Sequence, residues 1–350
     1  MEILVLTIIF IVSLAALVKG ADWFLEGAEK IGLSLGLSPF IVGITIVALG
    51  TSFPELFTAV IAMIRGVPEM VVANAIGSNI ANILLVVGIS AVIGGKLIVK
   101  KSLIDLDLPL LAAGTVILFI VIFPFGGGLE GGEVVISQFS SIFLIFAFFV
   151  YFTYVLIYDQ QRSDEKQLKE TEEEDMENVV SIPSRAERRE HLIVKEKDVK
   201  PKLKLKDISF FLIGIVFLVA GSNYLVDSVV DISALLMIGV GVVSIIAVAV
   251  GTALPELLVS IKAVRENKPE VALGNIFGSN VFNSFLVIGV PGLLGDLVLD
   301  EKTYTVGVPF LLFATFLFIV SGISRRIHNY EGMFFILLYV LFVVKIFGVV

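Results

Sequence analysis

The sequence lacks the side chains from which most protein metal and redox sites are built. Its 350 residues include no cysteine and only two histidines. Without cysteine there is no disulfide, no thiolate nucleophile and no thiolate metal ligand. The sequence therefore does not indicate whether the protein lies in an oxidising or a reducing compartment. Zinc, copper and iron favour nitrogen and sulfur ligands, and such a chain offers few of them. Any cation site is therefore expected to use oxygen ligands.

Charged residues are also scarce, and the sequence contains many long apolar runs. Charged residues make up 17% of the sequence and hydrophobic residues 57%, and the mean hydropathy is +1.01. These values exclude an ordinary soluble domain. No cleaved signal peptide is expected, because residues 1–16 lack a basic start. A helix that spans a bilayer takes roughly 20 apolar residues. The sequence predicts ten spans, at about 3–25, 40–64, 70–93, 104–124, 136–158, 207–228, 233–262, 271–295, 303–322 and 331–349.

One pattern of 39 residues occurs twice, at residues 50–88 and 251–289, with a constant offset of 201 and 16 identical positions. Most of the shared residues are polar, glycine or proline, although the surrounding sequence is apolar. Two copies of a proline-broken apolar segment with a carboxylate are typical of a membrane ion site at a repeat interface. The shared residues include Thr51/Thr252, Pro54/Pro255, Glu55/Glu256, Ser78/Ser279 and Asn82/Asn283.

The two copies lie in halves of opposite orientation. Five predicted spans precede a charged central segment and five follow it, so the second half enters the membrane inverted. The sequence therefore predicts an all-α polytopic membrane protein, with ten transmembrane helices in two inverted-topology five-helix repeats, 1–158 and 207–350. If the N-terminus lies outside the cell, nine Lys and Arg residues of the short loops lie on the cytoplasmic side, and two, Arg65 and Lys302, lie outside. Both termini are expected to be extracellular.

The central segment, residues 159–206, is charged and nearly free of aromatic residues. Such a composition cannot bury a core, so we expect a partly helical, solvated cytoplasmic loop. The alternative is a regulatory element that senses cytosolic cations through its acidic stretch at 172–175. That stretch lacks the alternating spacing of an EF-hand loop.

Two carboxylates, Glu55 and Glu256, lie well inside predicted spans. Each costs on the order of 3 kcal/mol to insert, and intramembrane acids are usually functional. The other acids lie at span ends, in loops or nearer the interface. Because the neighbouring spans hold no Lys or Arg, a bound cation is the natural counterion. The alternative is a structural pair neutralised by protonation.

The prolines beside these acids add backbone oxygens. Pro54 and Pro255 have no N–H, so the carbonyls of residues 50–51 and 251–252 lose their helical partners. In a membrane such carbonyls persist where they line a cavity or find a partner such as a cation. A plain kink is the alternative for either proline alone.

Polar residues spaced by four share a helical face with the acids or with each other. Four other asparagines either cap discontinuous helices or bind the ion. The pairs spaced by four are Thr51/Glu55, Thr252/Glu256, Ser78/Asn82 and Ser279/Asn283, and the other asparagines are Asn74, Asn79, Asn275 and Asn280.

Such an oxygen set suits a hard cation. Calcium takes 6–8 oxygens, and two bidentate glutamates with the Thr51 and Thr252 carbonyls supply six, whereas magnesium demands a stricter octahedron. The same oxygens can hold two or more Na⁺. A dianionic pocket that takes either Ca²⁺ or several Na⁺ is itself an antiport mechanism.

The motifs GTSFPE…GSNIANILLVVG and GTALPE…GSNVFNSFLVIG resemble the two α-repeats of the sodium/calcium exchangers, in the Ca²⁺/cation antiporter superfamily. The resemblance covers nearly the whole chain, including the ten-span plan and the loop after the fifth span. It implies that calcium is held by Glu55, Glu256 and the backbone of Thr51 and Thr252. Asn82 and Asn283 would line the central position. The implied sodium ligands are the Ala48 and Ala249 carbonyls with Thr51, Ser52, Thr252, Ser78, Ser279, Glu55 and Glu256.

Two positions depart from the family pattern. Ala253 replaces the serine that the first copy has at Ser52, which leaves the number of sodium ions open. Some relatives, notably the potassium-dependent branch, have Asp where this chain has Asn283, so no potassium transport is expected.

The resemblance implies a secondary antiporter in the plasma membrane that exchanges Na⁺ for Ca²⁺ by alternating access and extrudes calcium. The alternatives are a proton-coupled antiporter with Glu55 and Glu256 as proton carriers, and a cation channel. A dehydrated dianionic trap would hold ions too tightly for a channel, and the acids have no nucleophile or zinc ligands beside them for an intramembrane hydrolase. We expect no enzymatic activity, no cofactor and no nucleic acid partner, and a monomer in the lipid bilayer with Ca²⁺ and Na⁺ as substrates.

Overall fold

The computed structural model describes residues 2–35, 50–99, 103–123, 134–178 and 203–348, with residues 159–178 as backbone alone. Within these ranges, nine helices are long and apolar enough to cross a membrane. Part of the predicted span 40–64 lies outside the described residues, and its described part is a short turn at Gly50–Ser52 followed by a helix. The prediction of an all-α polytopic membrane protein is confirmed.

We number the helices α1 to α11 and the strands β1 to β4 along the chain. Prolines at the first or second helical position, where the missing N–H costs nothing, begin several helices. The elements are α1 Glu2–Ser34, α2 Phe53–Ile64, α3 Pro68–Gly94, β1 Lys96–Ile98, α4 Leu103–Ile122, β2 Val134–Ile136, α5 Gln138–Asn178, α6 Leu205–Leu236, α7 (240–252), α8 Leu254–Arg265, α9 Pro269–Gly292, β3 Leu297–Leu299, α10 Thr303–Ile323, β4 Arg326–His328 and α11 Asn329–Ile346.

The two halves repeat the same element order. Helices α2 and α8 begin 201 residues apart, as do α3 and α9, and the strands β1 and β3. A π-helical segment interrupts α3 at Ala81–Val86 and α9 at Asn283–Val287. The sequence offset therefore reappears as helix breaks at corresponding places in the two halves.

Two small antiparallel ladders, which the sequence did not predict, join the halves. Strand β1 pairs with β4, with Leu97 opposite Ile327, and β2 pairs with β3, with Val135 opposite Val298. Each strand has three residues, too few for an alternating pattern to register in the sequence. Because β1 is equivalent to β3, and β4 to β2, the ladders are equivalent to each other and lie at opposite membrane faces.

Helices α1 and α6 pack along each other through glycines. A Cβ at Gly20 would lie 2.8 Å from the Leu218 backbone nitrogen and 3.0 Å from the Gly214 carbonyl oxygen. The equivalent Gly221 would meet the Ser13 carbonyl oxygen at 3.0 Å. Small residues let membrane helices approach to backbone contact, where dispersion and interhelical contacts stabilise the pair.

We expect Gly20→Ala to lower the unfolding temperature of the purified protein. The added methyl group would meet backbone atoms of Leu218 and Gly214 and the Cβ of Phe217, none of which can rotate away, and such overpacking costs about 1–3 kcal/mol. The matched control is Gly239→Ala, because a Cβ there meets no atom within 4 Å. Equal unfolding temperatures for the two variants would show that α1 and α6 are not packed this closely.

Candidate cation site

The two acids of the repeated motif lie at the beginning of equivalent helices. Glu55 lies in the first turn of α2, after a break at Ser52 (φ −92°, ψ 7°). Glu256 lies in the first turn of α8, after a break at Ala253 (φ −79°, ψ 2°). Both carboxylates are 0% exposed. Helix N-termini carry unpaired N–H groups and partial positive charge, which favour negative charge at these positions.

Glu256 receives hydroxyl hydrogen bonds from both repeats. Ser52 Oγ donates to Glu256 Oε1 at 3.2 Å, and Ser279 Oγ donates to the same oxygen at 3.2 Å. In the described part of the chain, Glu256 Oε2 has no hydrogen-bond partner. One oxygen is thus oriented by serines while the other remains available as a ligand.

Glu55 is surrounded differently, although its sequence context is the same. Among the residues that the structure describes, neither of its carboxylate oxygens has a hydrogen-bond partner. The residue equivalent to Ser52 is Ala253, which has no hydroxyl to donate, and Ser78, equivalent to Ser279, pairs with Thr252 Oγ1 at 3.4 Å instead. The departure noted at Ala253 therefore leaves one carboxylate without its serine donor.

Hydroxyl pairs cross between the repeats around the acids. Thr51 Oγ1 lies 3.3 Å from Ser279 Oγ, which mirrors the Ser78–Thr252 pair. Thr252 Oγ1 also lies 3.5 Å from the Ala249 carbonyl oxygen. The structure thus brings these candidate ligands together with Glu256. Ala48 lies outside the described residues.

Asn82 and Asn283 are fully buried within the π-helical segments of α3 and α9. Over the described ranges, both polar atoms of each side-chain amide are without a hydrogen-bond partner. Single-turn π-helical segments often mark functional positions in helices. The amides share a helical face with Ser78 and Ser279, as their spacing predicts, but among the described residues no hydrogen bond joins them to the two acids.

Two of the four asparagines that the sequence left open, Asn79 and Asn275, make side-chain hydrogen bonds between the repeats. Asn275 Oδ1 accepts a hydrogen bond from Thr51 Oγ1 at 3.2 Å. Asn79 Nδ2 donates to the Asn280 carbonyl oxygen at 3.1 Å and to Ser284 Oγ at 2.9 Å, and so bridges α3 and α9. Ser284 was missed because its equivalent is Ile83, which leaves no repeated signal in the sequence.

Among the residues that the structure describes, no basic side chain forms an ion pair with either buried carboxylate. The ion pairs of Lys19, Lys30, Arg65 and Lys268 lie elsewhere, and these basic side chains are exposed or half-exposed. Burying a carboxylate without a partner is strongly unfavourable. Carboxylate, hydroxyl, amide and carbonyl oxygens together are suited to binding a hard cation, which would supply the missing positive charge.

A cavity of about 430 Å³ leads to this cluster from one side of the membrane. It lies between α1, α8 and α9 and reaches Thr51 and Asn275. Its other lining residues include Val259, which follows Glu256 along α8, and Val271, which precedes Ser279 along α9. The cavity therefore opens toward the face that carries the turn at 266–268.

The equivalent region on the opposite face is closed. Thr58, Met70 and Asn74 are each 0% exposed, although they are equivalent to the cavity-lining residues Val259, Val271 and Asn275. Val271, for comparison, is 49% exposed. Helix α2 packs along α6, whereas the cavity separates the equivalent helices α8 and α1. Among the residues that the structure describes, the cluster is thus reached by a cavity from one side and covered on the other.

Comparisons with known proteins agree over nearly the whole chain. A family model described as sodium/calcium exchanger protein matches residues 5–157 and 206–348. The chain is 31% identical to sodium/calcium exchanger MaX1 of Methanosarcina acetivorans, covering 97% of this chain and 98% of that protein. It is 28% identical to the putative antiporter CaxA of Alkalimonas amylolytica, covering 96% and 97%. A solved structure of the sodium–calcium exchanger NCX_Mj, soaked with 10 mM Na⁺ and zero Ca²⁺, matches with a TM-score of 0.58, 27% identity and coverage of 97% and 98%.

We expect Glu55→Gln to change stability in opposite directions with and without cations. In ion-free buffer the variant should unfold at a higher temperature than wild type, because it removes one of two buried, unpaired charges. Saturating Ca²⁺ should raise the wild-type unfolding temperature, by the equivalent of about 2.7 kcal/mol at a hundredfold excess over Kd, and should not raise that of the variant. The control is Glu29→Gln, an exposed acid of α1, which should behave as wild type. A Ca²⁺ response retained in Glu55→Gln would contradict the site.

Proposed function

Because the chain belongs to the sodium/calcium exchanger family, we propose that it exchanges Na⁺ for Ca²⁺ across the membrane. The observation that carries this proposal is the pair of fully buried carboxylates, Glu55 and Glu256, with hydroxyl groups from both repeats around them. Their two negative charges match one Ca²⁺. They also match two or more Na⁺ distributed over the same oxygens.

Exclusive occupancy couples the two ions. Ca²⁺ and Na⁺ draw on the same carboxylates, so one species must leave before the other binds. An empty site is unfavourable because it leaves two like charges buried together. The protein therefore changes its access state more readily when loaded, and this is what obligatory exchange requires. We assign the ion ligands to Glu55, Glu256, Thr51, Thr252, Ser52, Ser78, Ser279, Asn82, Asn283, Ala48 and Ala249.

The orientation follows from the Lys and Arg distribution. We place both termini outside the cell and residues 159–206, including the end of α5, in the cytoplasm. The cavity on the face of the 266–268 turn then opens to the cytoplasm. In that state the site takes up cytosolic Ca²⁺, which suits calcium extrusion on the sodium gradient. If three Na⁺ enter per Ca²⁺, one charge crosses per cycle, worth about 2.3 kcal/mol at 100 mV.

Proton-coupled antiport is the second candidate, and the state of Glu55 favours it. Among the described residues, neither oxygen of this buried carboxylate meets hydrogen-bond geometry with a partner, and the Thr252 hydroxyl is the side chain placed to approach it. Protonation would remove its unpaired charge as a bound cation would. The two functions differ in which gradient drives Ca²⁺ movement.

We expect Na⁺-loaded liposomes containing the purified protein to take up ⁴⁵Ca²⁺ when diluted into Na⁺-free buffer. K⁺-loaded and acid-loaded vesicles should take up only background amounts. Glu256→Gln should abolish the Na⁺-driven uptake, because it halves the charge that holds the ion, while the exposed control Glu29→Gln should retain it. Uptake from the acid-loaded vesicles alone would move the assignment to proton antiport.

We expect Ala253→Ser to lower the Na⁺ concentration for half-maximal uptake by about two- to tenfold. The new hydroxyl would stand toward Glu55 as Ser52 stands toward Glu256, and a hydrogen bond to a ligand contributes about 0.5–1.5 kcal/mol. The reciprocal variant Ser52→Ala should raise that concentration, since it removes the existing donor. If Ala253→Ser leaves the Na⁺ dependence unchanged, residue 253 does not face an ion.

A further inference from the structure

We propose that the sealed side of the molecule contains a second, polar ion passage, lined by Thr58, Asn74 and Ser222 and closed at its mouth by Arg65. The proposal rests on the exchange function proposed above, because it assigns the route by which cations reach the same site from the opposite membrane face. It adds residues that make no hydrogen bond to either carboxylate among the described residues.

Three residues on the sealed side occupy positions equivalent to residues that line the open cavity. Val259, Asn275 and Ala21 line the open cavity, and their equivalents at the 201-residue offset are Thr58, Asn74 and Ser222. Thr58 lies one helical turn beyond Glu55 along α2, and Asn74 one turn before Ser78 along α3. Because the halves are inverted, these three residues lie between the site and the opposite face, on the three helices equivalent to those around the cavity.

In the described ranges, the same three residues carry buried polar groups without hydrogen-bond partners, which is evidence independent of the repeat. Thr58, Asn74 and Ser222 are all 0% exposed. Within residues 2–35, 50–99, 103–123, 134–158 and 203–348, the hydroxyl groups of Thr58 and Ser222 and both amide atoms of Asn74 have no hydrogen-bond partner. Buried polar groups are normally paired, and leaving one unpaired is unfavourable. Three such groups along one closed route are accounted for if water and cations solvate them when that route opens.

The mouth of this route is closed by an ionic contact. Arg65, directly after α2, donates from Nη2 to Asn223 Oδ1 at 3.1 Å and to Asp227 Oδ2 at 3.2 Å. Both acceptors belong to α6, so the contact ties α2 to α6 at the membrane surface. We call Arg65, Asn223 and Asp227 the latch. For the passage to open, α2 and α6 must separate and the latch must break.

The open side cannot form the equivalent latch. The residues equivalent to Arg65, Asn223 and Asp227 are Glu266, Asp22 and Glu26, and all three are acidic. Each of these acids already pairs with a nearby lysine of its own segment, Asp22 with Lys19, Glu26 with Lys30 and Glu266 with Lys268. Closure of α8 against α1 therefore gains no ion pair equivalent to that of Arg65 with Asp227. The latch therefore biases the molecule toward the access state of this structure.

The absence of native cysteine makes the passage testable by thiol labelling. Single-cysteine variants are placed in lipid nanodiscs, where both faces are accessible, and the rate of reaction with a water-soluble maleimide is measured. Thr58→Cys reports the sealed passage and its equivalent Val259→Cys reports the open one. Ala59→Cys is the control, since Ala59 is 0% exposed and its equivalent does not line the cavity. Ser222→Cys, a near-isosteric change, replaces Thr58→Cys if that variant does not fold.

With Arg65 intact, Thr58→Cys should react slowly and Val259→Cys rapidly. Adding Arg65→Gln should accelerate Thr58→Cys labelling about two- to fivefold, the population shift expected from loss of an exposed ion pair. The same change should slow Val259→Cys labelling and leave Ala59→Cys unreactive. The reciprocal response distinguishes a change of access state from local loosening around residue 65.

The proposal is overturned if Arg65→Gln leaves the labelling of Thr58→Cys and Val259→Cys unchanged, or if Ala59→Cys gains reactivity together with Thr58→Cys. Sodium-driven ⁴⁵Ca²⁺ uptake is measured separately on the same variants. If uptake persists without reciprocal labelling, the passage is wrong and the exchange function stands. If reciprocal labelling occurs without sodium-driven uptake in wild type, the passage stands and the exchange function is wrong.

Discussion

The structure depends on two buried carboxylates that have no fixed positive charge beside them in the described part of the chain. Glu55 and Glu256 are each fully inaccessible, and a basic partner placed beside them would have made a stable but permanent salt bridge. Leaving that position to a mobile cation keeps the pair in need of an ion at all times. The helix breaks, the hydroxyl pairs that cross between repeats, and the route to the outside all serve this one electrostatic requirement.

The repeat is symmetrical in its backbone and unsymmetrical in its details. The helix breaks at Ser52 and Ala253 match, yet only Glu256 receives two serine hydrogen bonds. The two carboxylates are therefore chemically different, although they are equivalent by position. One is oriented by hydroxyl groups, and the other depends more fully on its bound ion. Similarly, Arg65 and its equivalent Glu266 make the two entrances unequal.

Much of the architecture could be predicted because the sequence patterns that specify it are local or occur in both halves. The gap-free offset indicated two inverted halves, and the spacing of four placed Thr51 and Thr252 near the acids. Contacts that depend on the other repeat could not be predicted, among them the Thr51–Ser279 pair and the bridge from Asn79 to Ser284. The open side was also beyond prediction, since both faces carry the same motif and differ through contacts among distant helices.

The two strand ladders have a mechanical consequence. Strand β1 follows α3 and pairs with β4, which precedes α11, while β2 precedes α5 and pairs with β3, which follows α9. Backbone hydrogen bonds thus fasten α3 to α11 at one membrane surface and α5 to α9 at the other, which restrains each pair against sliding along the membrane normal. Helices α1 and α6 contribute no strand to either ladder. The end-to-end restraint that the ladders impose therefore acts on two helix pairs and does not extend to α1 and α6.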